Sequence, residues 1–392
     1  MKPNPGGIIK GEAIVDRENE IESLWNDLQT RSIVLASERR VGKTSVLRKM
    51  YEHPNHGWIP VIYWVERVRE PIDFIQGLYD ALTEEGILEE KSCHNLKKMY
   101  HKFVGGEVIG NWKLPQLKDN WQTMLGTTVE EIVATGKKVL IMIDELPLML
   151  WNILEKGETG AKTCMEFLDT LRELRNKFEG DRNIAFIFCG SIGLHIVIEK
   201  LKREYGYAGN PTNNMKKASL TGMDEAGAKL LCEKLSEGND YCYDEKVEVF
   251  SYLCQRTDSL PYYIQHVFAY LENLKEKTVT RKTIDDAIDF LHNDSKDEGE
   301  FRHYVERMKI YYHDNVKNVS LAILDNMVYT ENYISEIEII DTLQAKNSYN
   351  EDIIKETLEL LRNDHYLIRE SKPRRYKFKY TILQKWWKIN RS

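Results

Sequence analysis

Four short apolar runs punctuate the first half of the chain: residues 32–37 (SIVLAS), 60–65 (PVIYWV), 139–143 (VLIMI) and 184–188 (IAFIF). The last two are unbroken, and continuous rather than alternating hydrophobicity is what a strand covered on both faces of a parallel sheet requires. Helical spacing fills the intervals. Residues 43–53 follow the first run directly, residues 71–84 open with Pro71 in a first helical turn, and residues 162–178 repeat Phe167, Leu168, Leu171 and Leu174 as a core-facing stripe. Strands alternating with helices over residues 1–222 predict a doubly wound α/β domain, a parallel sheet flanked by helices.

After Leu220 the pattern changes to helices only, at residues 224–236, 244–254, 260–275 and 281–291, which predicts a small helical domain over residues 223–292. Residues 293–300 (NDSKDEGE) are polar, acidic and aperiodic, and are read as a linker. From Phe301 a connecting helix leads to three shorter helical patterns and a basic hairpin near residues 366–380, so residues 301–392 form a last domain. No internal repeat or low-complexity tract is present.

The chemistry sits at the ends of the apolar runs. Ser37, Glu38, Arg39, Arg40, Val41, Gly42, Lys43 and Thr44 have the spacing of a Walker A loop between a strand and a helix, with Ser37 where the general pattern has glycine. Backbone N–H groups of such a P-loop face the phosphates, and the helix N-terminus adds partial positive charge. Lys43 is expected to reach the β- and γ-phosphates of ATP and the Thr44 hydroxyl to meet Mg²⁺. Asp144 and Glu145 follow the third apolar run as a Walker B pair: Asp144 for Mg²⁺, Glu145 to orient or deprotonate the attacking water. The fourth run ends in Cys189-Gly190-Ser191-Ile192-Gly193, where Ser191 is a candidate sensor of the γ-phosphate. A nucleophile elbow is excluded there, because the position two before the serine holds Cys189 instead of glycine.

Composition narrows the class. The chain of 392 residues suits two or three domains, and residues 1–20 read as neither a signal peptide nor a membrane anchor. No membrane contact is expected, and the six scattered cysteines (93, 164, 189, 232, 242 and 254) are read as reduced thiols of a cytoplasmic protein. Formal net charge is −7, but residues 366–392 carry nine basic residues and one acidic residue, a net +8, leaving −15 for the rest.

Taken together, Asp16-Arg17-Glu18-Asn19-Glu20, residues 39–45 (RRVGKTS), Ile143-Asp144-Glu145-Leu146-Pro147, residues 190–195 (GSIGLH) and residues 260–265 (LPYYIQ) resemble the archaeal-type predicted ATPases of prokaryotes. That family belongs to the STAND and AAA+ neighbourhood and is related to origin-recognition initiators. The resemblance covers residues 12 to about 270. It implies that Arg17 and Glu18 lie near the adenine, that Ser45 belongs to the cofactor-binding set, and that residues 223–292 are a lid whose Pro261 closes over the nucleotide. Arginine fingers are usual in such enzymes, with Arg172, Arg175 and Arg203 as candidates. The C-terminal domain resembles a winged helix anchored by Trp386 and Trp387, and the family's genomic company suggests a defence or mobile-element setting.

Two readings follow. One is an ATP-hydrolysing switch whose nucleotide state controls a protein partner or a homo-oligomer. The alternative is an ATP-dependent DNA-binding initiator or regulator. The presumed recognition helix, residues 350–362, is acidic, so DNA would have to be met by Lys372, Arg374, Arg375, Lys377 and Lys379. Guanine reading needs an Asn-Lys-x-Asp type element, and the nearest approach, Asn176-Lys177-Phe178-Glu179, ends in Glu inside a helix. The protein is therefore expected to bind ATP far better than GTP; equal affinities in a competition assay would refute the adenine assignment.

Overall fold

The computed structural model describes residues 1–7, 14–88, 121–180, 182–274 and 277–391, and Cys93 lies outside them. The described residues fall into two compact units, one of Glu18–Ala36 with Lys43–Leu220, the other of Met1–Arg17 and Ser37–Gly42 with Thr221–Ser392.

The first unit runs α1 (Glu18–Leu28), β1 (Ile33–Leu35), α2 (Lys43–Glu52), β2 (Trp58–Trp64), α3 (Pro71–Glu84), α4 (Trp121–Ala134), β3 (Lys138–Asp144), α5 (Leu146–Leu154), α6 (Glu158–Phe178), β4 (Ile184–Cys189), α7 (Leu194–Tyr205) and β5 (Lys216–Ala218). Its five strands form one sheet in the order β2-β3-β4-β1-β5, every neighbouring pair parallel. Because all strands point the same way, the residues that follow β1, β3 and β4 emerge at one carboxyl edge. The central strands are what their composition demands: from Val139 to Asp144 every residue of β3 is buried, and β4 is buried from Ala185 to Cys189.

The predicted stripe on α6 is buried through Phe167, Leu168, Leu171 and Leu174. Removing each such side chain from water contributes about 1.5–3 kcal/mol. Strand β5 escaped the hydrophobic reading for a physical reason. Its Lys216 and Lys217 are exposed, as suits an edge strand. Its backbone holds it to β1, through Lys216 N–H to Ser32 O at 2.8 Å and Ala36 N–H to Ala218 O at 2.9 Å, and the Lys216 ammonium lies 3.6 Å from Asp27.

The second unit contains α8 (Glu225–Ser236), β6 (Cys242–Tyr243), α9 (Lys246–Arg256), α10 (Pro261–Glu272), β7 (Thr278–Val279), α11 (Arg281–Asn293), α12 (Arg302–Tyr311), α13 (Asp314–Met327), β8 (Ile334–Ser335), α14 (Glu336–Asn347), α15 (Glu351–Asn363), β9 (Leu367–Ser371), β10 (Arg374–Phe378) and α16 (Thr381–Asn390). The expectation of helices only after Leu220 is corrected by β6 and β7, which pair in parallel. Two-residue strands are too short to leave a period in the sequence. Farther on, a three-stranded sheet has the order β8-β10-β9 and is antiparallel throughout.

Aromatic stacking ties distant segments of this unit. Phe301 lies between Tyr263, centroids 5.0 Å apart, and Trp386 at 5.8 Å. Trp387 is fully buried and donates its indole N–H to Asp325 Oδ1 at 2.6 Å. Both tryptophans are therefore core residues.

Close packing in the first unit gives a test of the fold. A Cβ added to Gly160, near the start of α6, would stand 2.0 Å from the backbone oxygen of Ile153 on α5. Alanine normally gains about 1 kcal/mol over glycine in a helix. Here the collision with backbone should outweigh that gain, so Gly160→Ala is expected to destabilise the protein by about 1–3 kcal/mol. An unchanged or raised urea midpoint would contradict this packing.

Candidate active site

Lys43 is the first residue of α2 and is buried, while the neighbouring Thr44 is exposed. The Thr44 hydroxyl donates to Asp144 Oδ2 at 3.4 Å, a long bond between the first turn of α2 and the end of β3. Asp144 is itself only 3% exposed, and its other oxygen accepts from Glu145 N–H at 3.0 Å and from Cys189 Sγ at 3.1 Å. The Cys189 thiol remains protonated and able to donate, because burial first, then the Asp144 carboxylate, pushes its pKa well up.

Glu145 takes a left-handed backbone conformation, φ 65°, at the start of α5. Its Oε2 accepts two bonds from Ser191, one from the peptide N–H and one from the hydroxyl, both at 2.8 Å. Burial raises the Glu145 carboxyl above the ordinary carboxylate range, with Asp144 adding to the rise; the Ser191 bonds and the Lys43 charge oppose it. Gly190 is required by this approach, because a Cβ there would lie 2.7 Å from Pro147 Cδ and 3.3 Å from Glu145 Oε2. The geometry thus brings together Lys43, Thr44, Asp144, Glu145 and Ser191 from the sequence-predicted set, and adds Cys189 and Gly190.

An oxygen set of one hydroxyl and one carboxylate suits Mg²⁺, which keeps most of its shell as water and phosphate oxygen. Among the described residues no cluster of three or more His, Cys, Asp or Glu could hold a metal by itself. Any Mg²⁺ held here by Thr44 and Asp144 would therefore complete its shell from nucleotide and solvent.

The loop residues Ser37–Gly42 belong to the second unit and are held there by side chains from far along the chain. Arg17 is 3% exposed and donates to Val41 O at 2.8 Å and Thr221 O at 2.9 Å, so it braces the loop from behind. Glu18, the other residue that the resemblance puts near the adenine, opens α1 and pairs with Lys49. Arg40 pairs with Glu300 and lies 4.1 Å over the Tyr262 ring, and Arg39 is 3.8 Å from the same carboxylate. Ser45 lies in the first turn of α2, half-buried.

Ser37 is tolerated where glycine is usual because the loop's left-handed positions are elsewhere, at Arg40 (φ 74°) and Gly42 (φ 94°). Pro261 is the first residue of α10. Just before it, Asp258 (φ 50°) and Ser259 (φ 53°) adopt the conformation that glycine favours. Asp258 has a compensating role: its Oδ2 accepts from Ile382 N–H at 2.8 Å at the start of α16.

Of the arginine-finger candidates, Arg203 pairs with Glu204 on the surface. Arg175 is instead a buried side chain. It is 8% exposed and donates to Asn213 O at 3.4 Å and to Pro211 O. Among the described residues, Cys164, Cys189, Cys232, Cys242 and Cys254 are in no disulfide.

Residues 27–198 match the AAA domain family. No curated protein gives a sequence match. Solved structures do: a Walker-type ATPase of Pyrococcus abyssi, at 16% identity and TM-score 0.61, covers 97% of each chain. The ORC2 protein of Aeropyrum pernix, solved in complexes with ADPNP and ADP, aligns at 10% identity and TM-score 0.51 over 98% of this chain and 94% of its own. This chain has the fold of the AAA+ ATPases. Among the described residues no helix is long and apolar enough to cross a membrane.

The Ser191–Glu145 contact can be tested by titration. Ser191→Ala removes one of the two donors that stabilise the charged carboxylate while the peptide N–H remains. The Glu145 pKa, already raised by burial, should rise further. Carboxyl ¹³C NMR would follow it, and a midpoint unmoved or shifted downward would show that the hydroxyl does not set its protonation.

Proposed function

We propose that the protein binds Mg·ATP at the Walker A loop and hydrolyses it, and that the nucleotide state governs a protein partner or an assembly of copies of this chain. The observation that carries this reading is the meeting of Thr44, Asp144, Glu145 and Ser191 at the carboxyl edge of a parallel AAA+ sheet, with Lys43 at the start of the following helix. The nucleotide complexes of the A. pernix protein lend support by fold.

In this reading Lys43 neutralises the β/γ-phosphates and Thr44 and Asp144 hold Mg²⁺, which supplies charge where the phosphoryl group transfers. Glu145 orients the attacking water and accepts its proton. Ser191 keeps that carboxylate in place and opposes the rise that burial causes in its pKa. Arg17 supports the loop through Val41 and has no direct part in phosphate binding.

The C-terminal part, in the order α13, β8, α14, α15, β9, β10, is read as a winged helix, with the β9–β10 hairpin as the wing. Its charges favour the switch over the DNA-binding alternative. Arg374 faces Glu336 at 3.4 Å, Arg375 bonds Glu370 at 3.0 Å through Nε, and Lys379 bonds Glu38 at 3.0 Å. Each of these cations already faces a carboxylate of its own unit, so less charge remains for phosphate neutralisation.

Two variants test the proposal. Lys43→Ala should abolish ATP binding in calorimetry. Glu145→Gln should keep ATP bound but slow phosphate release by about 10²- to 10⁴-fold, the usual contribution of a general base. Undiminished affinity in the first, or hydrolysis at the parental rate in the second, would refute the corresponding role.

A further inference from the structure

Glu38 is the second residue of the Walker A stretch, and its side chain is fully buried. A carboxylate in a loop that receives a polyphosphate is a liability: it repels the ligand, and burial makes its charge costly unless it is paired. The partners come from more than three hundred residues away. Tyr380 donates its hydroxyl to Glu38 Oε1, Lys379 donates to Oε2 at 3.0 Å, and His365 Nδ1 stands 3.8 Å from Oε2.

Lys379 and Tyr380 lie on a short segment that is fixed twice. Lys379 and Tyr380 hold Glu38, and two residues on, the Ile382 N–H is taken by Asp258 in the turn before α10. The Tyr380 hydroxyl is pushed far above its ordinary pKa, first by burial and then by Glu38, so it stays a hydrogen-bond donor. The segment after the β9–β10 hairpin therefore clasps both the phosphate loop and the turn ahead of Pro261.

We infer that Lys379 and Tyr380 are positioning residues for nucleotide binding: they hold Glu38 in a neutralised, buried pair, so that the loop keeps its shape and offers the incoming phosphates no carboxylate. This rests on the reading that the loop binds nucleotide, and goes beyond it by making the end of the chain part of the site. Removing the ammonium takes a full positive charge away from a buried carboxylate. The loop must then shift to hydrate it or take up a proton, and both disturb the phosphate cradle. Removing the carboxylate as well takes away the reason for the ammonium.

Calorimetric titration of the full chain with Mg·ATP provides the test. Lys379→Met should weaken ATP binding by about tenfold or more. Glu38→Gln in the same chain should restore affinity to within about threefold of the parent, because the amide is uncharged and can still accept from Tyr380. A scaffold defect would not be rescued by a second substitution. Parental affinity in Lys379→Met, or a double variant that binds as weakly as the single one, would overturn the inference. The underlying reading fails separately, if the parent binds no ATP or Lys43→Ala binds as well as the parent.

Discussion

A buried carboxylate must be given donors, and the Asp144 side chain is the place where this requirement organises the AAA+ core. Its two oxygens receive the Thr44 hydroxyl, the Glu145 peptide and the Cys189 thiol, which come from the first turn of α2, the residue after β3 and the end of β4. The parallel sheet brings the ends of β3 and β4 to one edge, and the register of the two strands sets Cys189 beside Asp144. Leaving such a carboxylate without its donors would cost several kcal/mol, a large share of the stability of any domain. The arrangement that suits metal and phosphate chemistry is thus also the one that makes the burial tolerable.

The second unit solves the same problem three more times. Glu38 is met by Lys379 and Tyr380, Asp258 by the first turn of α16, and Asp364 by Tyr312 at 2.6 Å and Arg307 at 3.4 Å. In each case the carboxylate and its donors are distant in sequence. These contacts therefore act as long-range staples, and two of them tie residues 379–382 to Glu38 and Asp258.

How much of this was legible follows from the same physics. The buried strands β3 and β4 announce themselves by unbroken apolar runs, and the Walker spacing by local residue order, because both are short-range properties. The Ser191 candidate was legible for the same reason, since it directly follows a strand end. The partners of Glu38 were not. A glutamate in a phosphate loop reads as one more exposed polar residue, and nothing local in Lys379 distinguishes it from its neighbours Lys377 and Arg375 in a basic hairpin. Strand β5 was lost because its stability lies in backbone hydrogen bonds, which leave no trace in side-chain hydrophobicity.

The excess charge of residues 366–392 takes on a different meaning once its geometry is known. A net +8 on a hairpin and helix in an otherwise acidic chain looks like a surface built for nucleic acid. Yet Lys379 is spent on Glu38, Arg369 on Glu359, Arg375 on Glu370, Arg374 on Glu336 and Arg391 on Asp325. These pairs differ in weight. The exposed ones each contribute at most about 1 kcal/mol and are weakened by salt. The Lys379–Glu38 pair is almost wholly buried, so salt reaches it least and its loss costs most. The most deeply buried pair among these is thus the one that ends on Glu38, in the loop that precedes α2.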